Sequence, residues 1–119
     1  MAMMTFADAI NDALSVAMTE DANVICYGLG VDDPKGVFGT TLNLKDKFGS
    51  ERVFDMPTSE NAMTGIGVGA ALYGLKPVMT HQRLDFALLT MDQLVNNVFM
   101  ELFKEVLMRN FEKKVLILT

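Results

Sequence analysis

Apolar residues recur every three or four positions at the start of the chain, at Phe6, Ile10, Ala13, Leu14 and Ala17. This spacing predicts an amphipathic helix over about 5–19. Thr5 and Asp8 stand three positions apart at its start, in the pattern of a capping box, in which each side chain bonds the other residue's backbone N–H. The first element of the chain is therefore expected to be a capped helix.

Short apolar runs alternate with helical segments along the rest of the chain. Strands are predicted at 23–27, 52–55, 77–81 and 115–118, and helices at 42–48, 59–73 and 84–110. The last helix is expected to be continuous, with a buried stripe of Leu88, Met91, Val95, Val98, Leu102 and Val106. Fully apolar strands between helices predict a three-layer α/β fold, in which helices cover both faces of a mostly parallel sheet.

Composition narrows the class of protein. Half of the 119 residues are apolar and the net charge is -5, which predicts one globular domain over 1–119 and disfavours nucleic acid or anionic membrane as a partner. Cys26 is the only cysteine, so we expect a buried thiol and no metal site built on cysteines. The absence of an apolar run of membrane-spanning length and of a signal-peptide pattern predicts a cytoplasmic location.

Glycine-rich stretches suggest nucleotide binding, but their context argues against it. Gly65, Gly67 and Gly69 fall inside a predicted helix, whereas a dinucleotide fingerprint needs its glycines in a strand-to-helix turn. Gly28 and Gly30 do follow a strand, but the next helix begins more than ten residues later, too far to receive a phosphate. Because each helical glycine costs roughly 1 kcal/mol, we expect this helix to pack closely against another helix or a partner subunit.

Two polar residues stand where parallel sheets bind ligands. His81, the only histidine, follows a strand. This position is equally compatible with a role in binding and with a polar strand end that has no function. Glu60 lies in the first turn of a helix. It could serve only to complement the helix dipole, with Ser59 or Thr58 as the cap. The small residues that follow would instead leave its carboxylate near the protein interior.

Several motifs in order and spacing resemble one family. They are GVFGTT at 36–41, RVFD at 52–55, PTSE at 57–60, the glycine helix at 65–71, GLKP at 74–77, DF at 85–86 and MDQLVN at 91–96. Together they resemble the beta subunit of thiamine diphosphate-dependent 2-oxo acid dehydrogenases, in its transketolase-like pyrimidine-binding domain. The resemblance is strongest over 5–97, whereas 98–119 looks divergent or rebuilt.

The resemblance implies roles for four residues. Glu60 would be the catalytic carboxyl group that hydrogen-bonds a ring nitrogen of the cofactor's aminopyrimidine. Phe86 would stack on that ring, and Gln82 and Thr58 would line the same pocket. The implied cofactor is thiamine diphosphate, shared with a partner subunit that carries the magnesium. The implied reaction is oxidative decarboxylation of a 2-oxo acid, with acyl transfer to a lipoyl group.

The resemblance also implies a partner, either an alpha subunit or a second copy, and therefore an oligomer. The chain would hold half of a site and would have no turnover alone. Two alternatives remain open. One is a truncated or engineered α/β fragment without activity, suggested by the helix-forming, glycine-free sequence after residue 97. The other is a flavodoxin-like nucleotide-binding module, which the missing phosphate loop disfavours.

Overall fold

A parallel sheet forms the centre of the protein. The computed structural model describes residues 3–101 and the backbone of 116–118. In this part of the chain the sheet has four strands, β1 (Val24–Gly28), β2 (Val53–Asp55), β3 (Lys76–Thr80) and β4 (Leu116–Leu118). Their order is β2-β1-β3-β4 and every neighbouring pair is parallel, which confirms the predicted sheet.

The helices alternate with the strands as predicted. They are α1 (Phe6–Glu20), α2 (Leu44–Phe48), α3 (Glu60–Leu72) and α4 (Leu84–Ala87). The capping box at the start of α1 is confirmed, because the Asp8 amide donates to Thr5 Oγ1 at 3.1 Å and the Thr5 amide donates to Asp8 Oδ2 at 3.3 Å. The Asp33–Gly36 turn that follows β1 is closed by the Gly36 amide, which donates to the Asp33 carbonyl at 2.8 Å.

The apolar core lies on both faces of the sheet. On one face, side chains of α1 and α2 pack on alternate residues of β1, and this cluster includes Leu14, Met18, Leu44, Val24 and Cys26. On the other face, Met63 of α3 packs on Ile25, Tyr27 and Met79. Because successive residues of a strand point to opposite faces, β1 supplies both cores. The three-layer α/β prediction and the buried Cys26 are therefore confirmed.

Arg52 ties the end of α1 to the edge of the sheet. Its guanidinium donates hydrogen bonds of 2.8 to 3.0 Å to the backbone carbonyls of Met18, Asp21 and Val24. It also lies over the Phe48 ring, 5.3 Å from the ring centre. The planar guanidinium presents its N–H donors in a rigid fork, so it serves these three carbonyls with less loss of side-chain freedom than a flexible lysine would.

The predicted long helix from residue 84 is unbroken through residue 101, but it is not a regular α-helix. The segment begins as α4, tightens into a 3₁₀ turn at Leu88–Thr90, and widens into a π-helix at Gln93–Val98. Residues 102–110 lie outside the described part. A π turn carries one more residue per hydrogen-bonded ring than an α turn, so it shifts the faces of the helix. Periodicity computed for a regular helix cannot anticipate this shift.

The predicted buried stripe of this segment is also wrong where it can be tested. Leu88, Met91 and Val95 are about half exposed or more, whereas Thr90 is fully buried. The inward face of the helix is thus displaced from the predicted one. Val98, another member of the predicted stripe, is half-buried. Leu102 and Val106 lie outside the described residues.

Across the described ranges, no helix combines the length and apolarity needed to cross a bilayer.

Candidate functional site

The carboxyl ends of β1, β2 and β3 meet at one edge of the sheet. Gly28, the last residue of β1, pairs with Asp55 of β2 on one side and with Thr80 of β3 on the other. The segments that leave these strands carry Glu60, Gln82 and the other residues implied by the resemblance. Ligands of open parallel sheets bind at this edge, so the strand register places the candidate residues where binding is expected.

Glu60 is the first residue of α3 and is only 8 % exposed. Ser59 occupies the N-cap position but makes no side-chain capping bond, so the expected Ser59 cap is absent. The Thr64 hydroxyl donates to the Glu60 backbone carbonyl at 2.8 Å, but no hydrogen bond from the described residues reaches the Glu60 carboxyl group. The carboxyl group is sheltered at a helix N-terminus and keeps its capacity to bond a ligand.

Tyr27 and Gly67 determine where α3 lies on the sheet. The Tyr27 hydroxyl donates to the Met63 carbonyl at 3.0 Å from beneath the helix. A Cβ atom at Gly67 would overlap that hydroxyl. The glycine therefore permits a close approach between α3 and β1, and this approach positions the N-terminal turn that carries Glu60.

The predicted packing of the glycine helix against another helix is confirmed at one position. A Cβ atom at Gly65 would lie 3.1 Å from Gln93 Oε1, so Gly65 faces the π-helix. Gly67 instead faces the sheet, and Gly69 has no neighbour within 4 Å of an added Cβ among the described residues. Packing of this helix across a dimer stays a prediction.

The other three implied residues lie at the same edge but are less sheltered. Phe86, in α4, is half-buried, and the Arg83 guanidinium lies 5.4 Å from its ring centre. Thr58 and Gln82 are exposed, and the Gln82 amide lies over Gly30 in the loop that follows β1. Arg83 also pairs with Asp85 at 2.8 Å on the surface.

His81 is the polar residue at this edge whose importance the sequence left open. It is 4 % exposed, and its Nε2 atom has no hydrogen-bond partner in the described part of the chain. Burial lowers the pKa of its imidazole, while the negative charge of nearby Glu60 opposes the shift. His81 and Gln82 line a cavity of about 220 Å³ that Glu60, Thr58 and Phe86 do not line.

Sequence reasoning missed the role of Asp55. Its carboxylate accepts hydrogen bonds from the backbone amides of Gly30, Val31 and Asp32, at 3.0, 2.6 and 3.3 Å. These bonds hold the loop after β1 against the end of β2. An acid at the end of a parallel strand was the available signal.

Within residues 3–101, no group of three or more histidine, cysteine or acidic side chains is placed to hold a metal ion.

The shifted pKa of His81 predicts a pH dependence of stability. Its ordinary value is 6.5 and the folded-state value is lower, so the unfolded chain takes up the proton first as the pH falls. The stabilising contribution of the neutral imidazole is complete above about pH 6.5 and declines below it. Urea unfolding at several pH values should show this decline in the free energy of unfolding of the wild type. In His81→Gln, the part of the decline that comes from the imidazole should be absent. An identical pH profile in the variant would contradict the assignment.

Comparison with known proteins gives a consistent picture. The pea mitochondrial "Pyruvate dehydrogenase E1 component subunit beta" is 44 % identical over 94 residues, which cover 79 % of this chain and 26 % of that protein. The Mycoplasma genitalium protein named in the same way is 46 % identical over 87 residues, covering 73 % of this chain and 27 % of the relative. The Bacillus subtilis "2-oxoisovalerate dehydrogenase subunit beta" is 40 % identical over 96 residues, which cover 81 % of this chain and 29 % of the relative.

The chain thus spans a little over a quarter of the length of these relatives. Residues 2–109 match the family described as "Transketolase, pyrimidine binding domain". The match includes the parallel strands β1 to β3, the glycine-bearing helix α3 and the sheet edge that carries Glu60. This chain belongs to the family of transketolase pyrimidine-binding domains.

Proposed function

We propose that this chain supplies the aminopyrimidine-binding half of a thiamine diphosphate site in a 2-oxo acid dehydrogenase. The observation that carries the proposal is the sheltered Glu60 carboxyl group, which stands at the ligand-binding edge of the sheet without a hydrogen bond from the described residues. Relatives named as beta subunits of pyruvate and 2-oxoisovalerate dehydrogenases support the reaction class. The chain alone would have no turnover.

Each residue has a distinct task in this proposal. Thiamine diphosphate, when bound, supplies the carbon nucleophile and electron sink for decarboxylation of the 2-oxo acid. Glu60 holds a proton at the ring nitrogen of the aminopyrimidine, and its sheltered position keeps water from competing for that bond. Phe86 offers an aromatic face for stacking, while Gln82 and Thr58 border the ring. The diphosphate and its magnesium ion are assigned to the partner subunit.

An exposed apolar surface supports the proposed partner. Along the helical segment after β3, seven large apolar side chains are exposed to solvent: Leu84, Leu88, Leu89, Met91, Val95, Phe99 and Met100. Large apolar side chains exposed in such number along one segment are typical of protein interfaces. We assign it to contact with an alpha subunit or a second copy, and acyl transfer to a lipoyl group would require the assembled enzyme. The cytoplasmic location stays a prediction, since the pea relative is mitochondrial by name.

Calorimetric titration of thiamine diphosphate and magnesium tests the proposal. We expect binding to the chain mixed with its cognate alpha subunit and none to the chain alone. Glu60→Gln keeps the size of the side chain but removes the carboxyl proton exchange, and we expect affinity to fall by at least about tenfold. Glu51→Gln is the matched control, because Glu51 is exposed and its loss should leave affinity unchanged.

A cofactor analogue identifies the atom that Glu60 contacts. Replacing the pyrimidine nitrogen opposite the carboxyl group by C–H should weaken binding to the wild type but have no further effect on Glu60→Gln. Equal losses in both proteins would show that Glu60 does not contact that nitrogen. If no heat is detected with the partner present, the inactive-fragment alternative holds.

A further inference from the structure

Asp55 stands between the two segments that carry residues of the proposed site. It is the last residue of β2, and the Met56 amide donates to the Gly28 carbonyl at 2.9 Å, so the pairing with β1 continues past it. Glu60 follows in the chain at the start of α3, and Gln82 follows β3 at the same edge of the sheet. The sheet fixes the backbone of Asp55, and its side chain is turned to another task.

The Asp55 carboxylate fills a concave group of backbone amides in the loop after β1. Its Oδ2 atom accepts from the Gly30 amide at 3.0 Å, and its Oδ1 atom accepts from the amides of Val31 and Asp32 at 2.6 and 3.3 Å. Successive backbone N–H groups that converge in this way form an anion-binding nest. Bonds to a charged acceptor are stronger than neutral ones, so this carboxylate restrains the loop.

The restraint matters most at Gly30, the first residue of the nest. Farther along the loop, Val31 is buried in the core and Asp32 pairs with Lys45 of α2 at 2.6 Å. Gly30 has no side chain to anchor it, and its φ of 74° lies in the left-handed region. Because glycine is free to adopt many other conformations, the bond from its amide to Asp55 helps to select this one.

The conformation of Gly30 in turn determines where Gln82 lies. A Cβ atom at Gly30 would be 2.9 Å from Gln82 Nε2, so the side-chain amide of Gln82 lies directly over this backbone. Gln82 is exposed, and a long exposed side chain has several accessible rotamers unless a neighbour limits them. The loop supplies that neighbour, and a shift of the loop would release the Gln82 amide.

We propose that Asp55 is a positioning residue of the aminopyrimidine site. By binding the amides of the loop after β1, it fixes the backbone surface that orients Gln82. This inference rests on the proposed function, since Gln82 borders the pyrimidine ring only if the chain binds thiamine diphosphate. Asp55 itself does not contact the cofactor, and its effect on binding passes through Gln82.

Nuclear magnetic resonance on the full chain without cofactor tests the positioning step. We expect nuclear Overhauser contacts between the Gln82 side-chain amide and the Gly30 Hα protons in the wild type, and their loss in Asp55→Ala. Because Asp55 is exposed, formate can reach the vacated nest and should restore the contact, whereas neutral formamide should not. Asp12→Ala, at an exposed acid on α1, is the matched control and should keep the contact.

Calorimetry on the chain mixed with its cognate alpha subunit tests the consequence for binding. Asp55→Ala should weaken thiamine diphosphate binding by about tenfold, and formate should recover most of the loss. In a Gln82→Ala background, Asp55→Ala should cause no further loss, because the side chain through which it acts is gone. A general disruption of the edge would give additive losses and no recovery with formate.

Three results would overturn the inference: a Gln82–Gly30 contact that persists in Asp55→Ala, a contact that formate does not restore, or additive losses of affinity. If Asp55→Ala does not fold, Asp55→Asn replaces it in both experiments, with a weakened contact and a non-additive loss as the expected results. A wild type that shows the contact but binds no cofactor with its partner would refute the proposed function, and with it the role of Asp55 in binding.

Discussion

Replacing Gly28 by alanine is expected to lower the free energy of unfolding by more than about 3 kcal/mol, beyond the usual 1–3 kcal/mol of an overpacked core site. A Cβ atom at this position would overlap the backbone carbonyl oxygen of Thr80, with the Thr80 carbonyl carbon and amide nitrogen each 3.1 Å away. A side chain could rotate out of the way, but a backbone in a sheet cannot. Relief requires β1 and β3 to separate where Gly28 and Thr80 pair.

Urea unfolding, followed by circular dichroism, measures this effect. Gly69→Ala is the control, because an added Cβ there has no described neighbour within 4 Å and the helix should gain up to about 1 kcal/mol. The damage at Gly28 lies at the edge that carries His81 and the candidate site. Gly28→Ala should therefore also eliminate the thiamine diphosphate binding that we propose for this chain together with an alpha subunit. A wild-type unfolding curve for Gly28→Ala would show that the sheet edge is not packed as described.

Gly67→Ala is expected to cost about 2 kcal/mol, even though alanine is the better helix former by roughly 1 kcal/mol. The new Cβ would overlap the hydroxyl of Tyr27, a side chain that is 2 % exposed and bonded to the Met63 carbonyl. Because the tyrosine ring is enclosed, it cannot move aside. The steric cost should therefore exceed the gain in helix propensity.

A double-mutant cycle tests this explanation directly. Tyr27→Phe removes the hydroxyl and leaves the nearest ring carbon 3.3 Å from the added Cβ, a distance that small shifts can accommodate. In that background Gly67→Ala should be close to neutral, giving a coupling energy of about 2 kcal/mol in equilibrium unfolding. If the two substitutions are additive, the loss in Gly67→Ala arises from some cause other than the hydroxyl.

Local patterns were sufficient for most of the secondary structure. The helical spacing and the Thr5–Asp8 capping box anticipated α1, and the apolar runs anticipated the strands to within a residue or two. They succeeded because capping bonds and side-chain alternation depend on neighbours only a few positions away. The three-layer parallel arrangement followed, since strands with two apolar faces need cover on both sides.

The site was anticipated only in part. The position of Glu60 at a helix start near the interior was predicted, and the structure places it there with 8 % exposure. The cavity beside His81 was not anticipated, because its walls come from α1, the loop that contains Phe38 and the end of β3. These segments are far apart in the sequence, and only the folded arrangement brings them together.

By itself, the sequence determined the element order, the parallel α/β class, the buried strands and the placement of Glu60 at the sheet edge. Only the tertiary structure decided that Gly67 faces the Tyr27 hydroxyl and that Asp55 holds the loop after β1. It also decided that His81 Nε2 is buried without a hydrogen-bond partner among the described residues. It also replaced the expected regular helix after residue 84 with one that contains a π turn at Gln93–Val98. Periodicity reports how a segment divides between core and solvent, whereas close approaches and unpaired atoms depend on which distant segments meet.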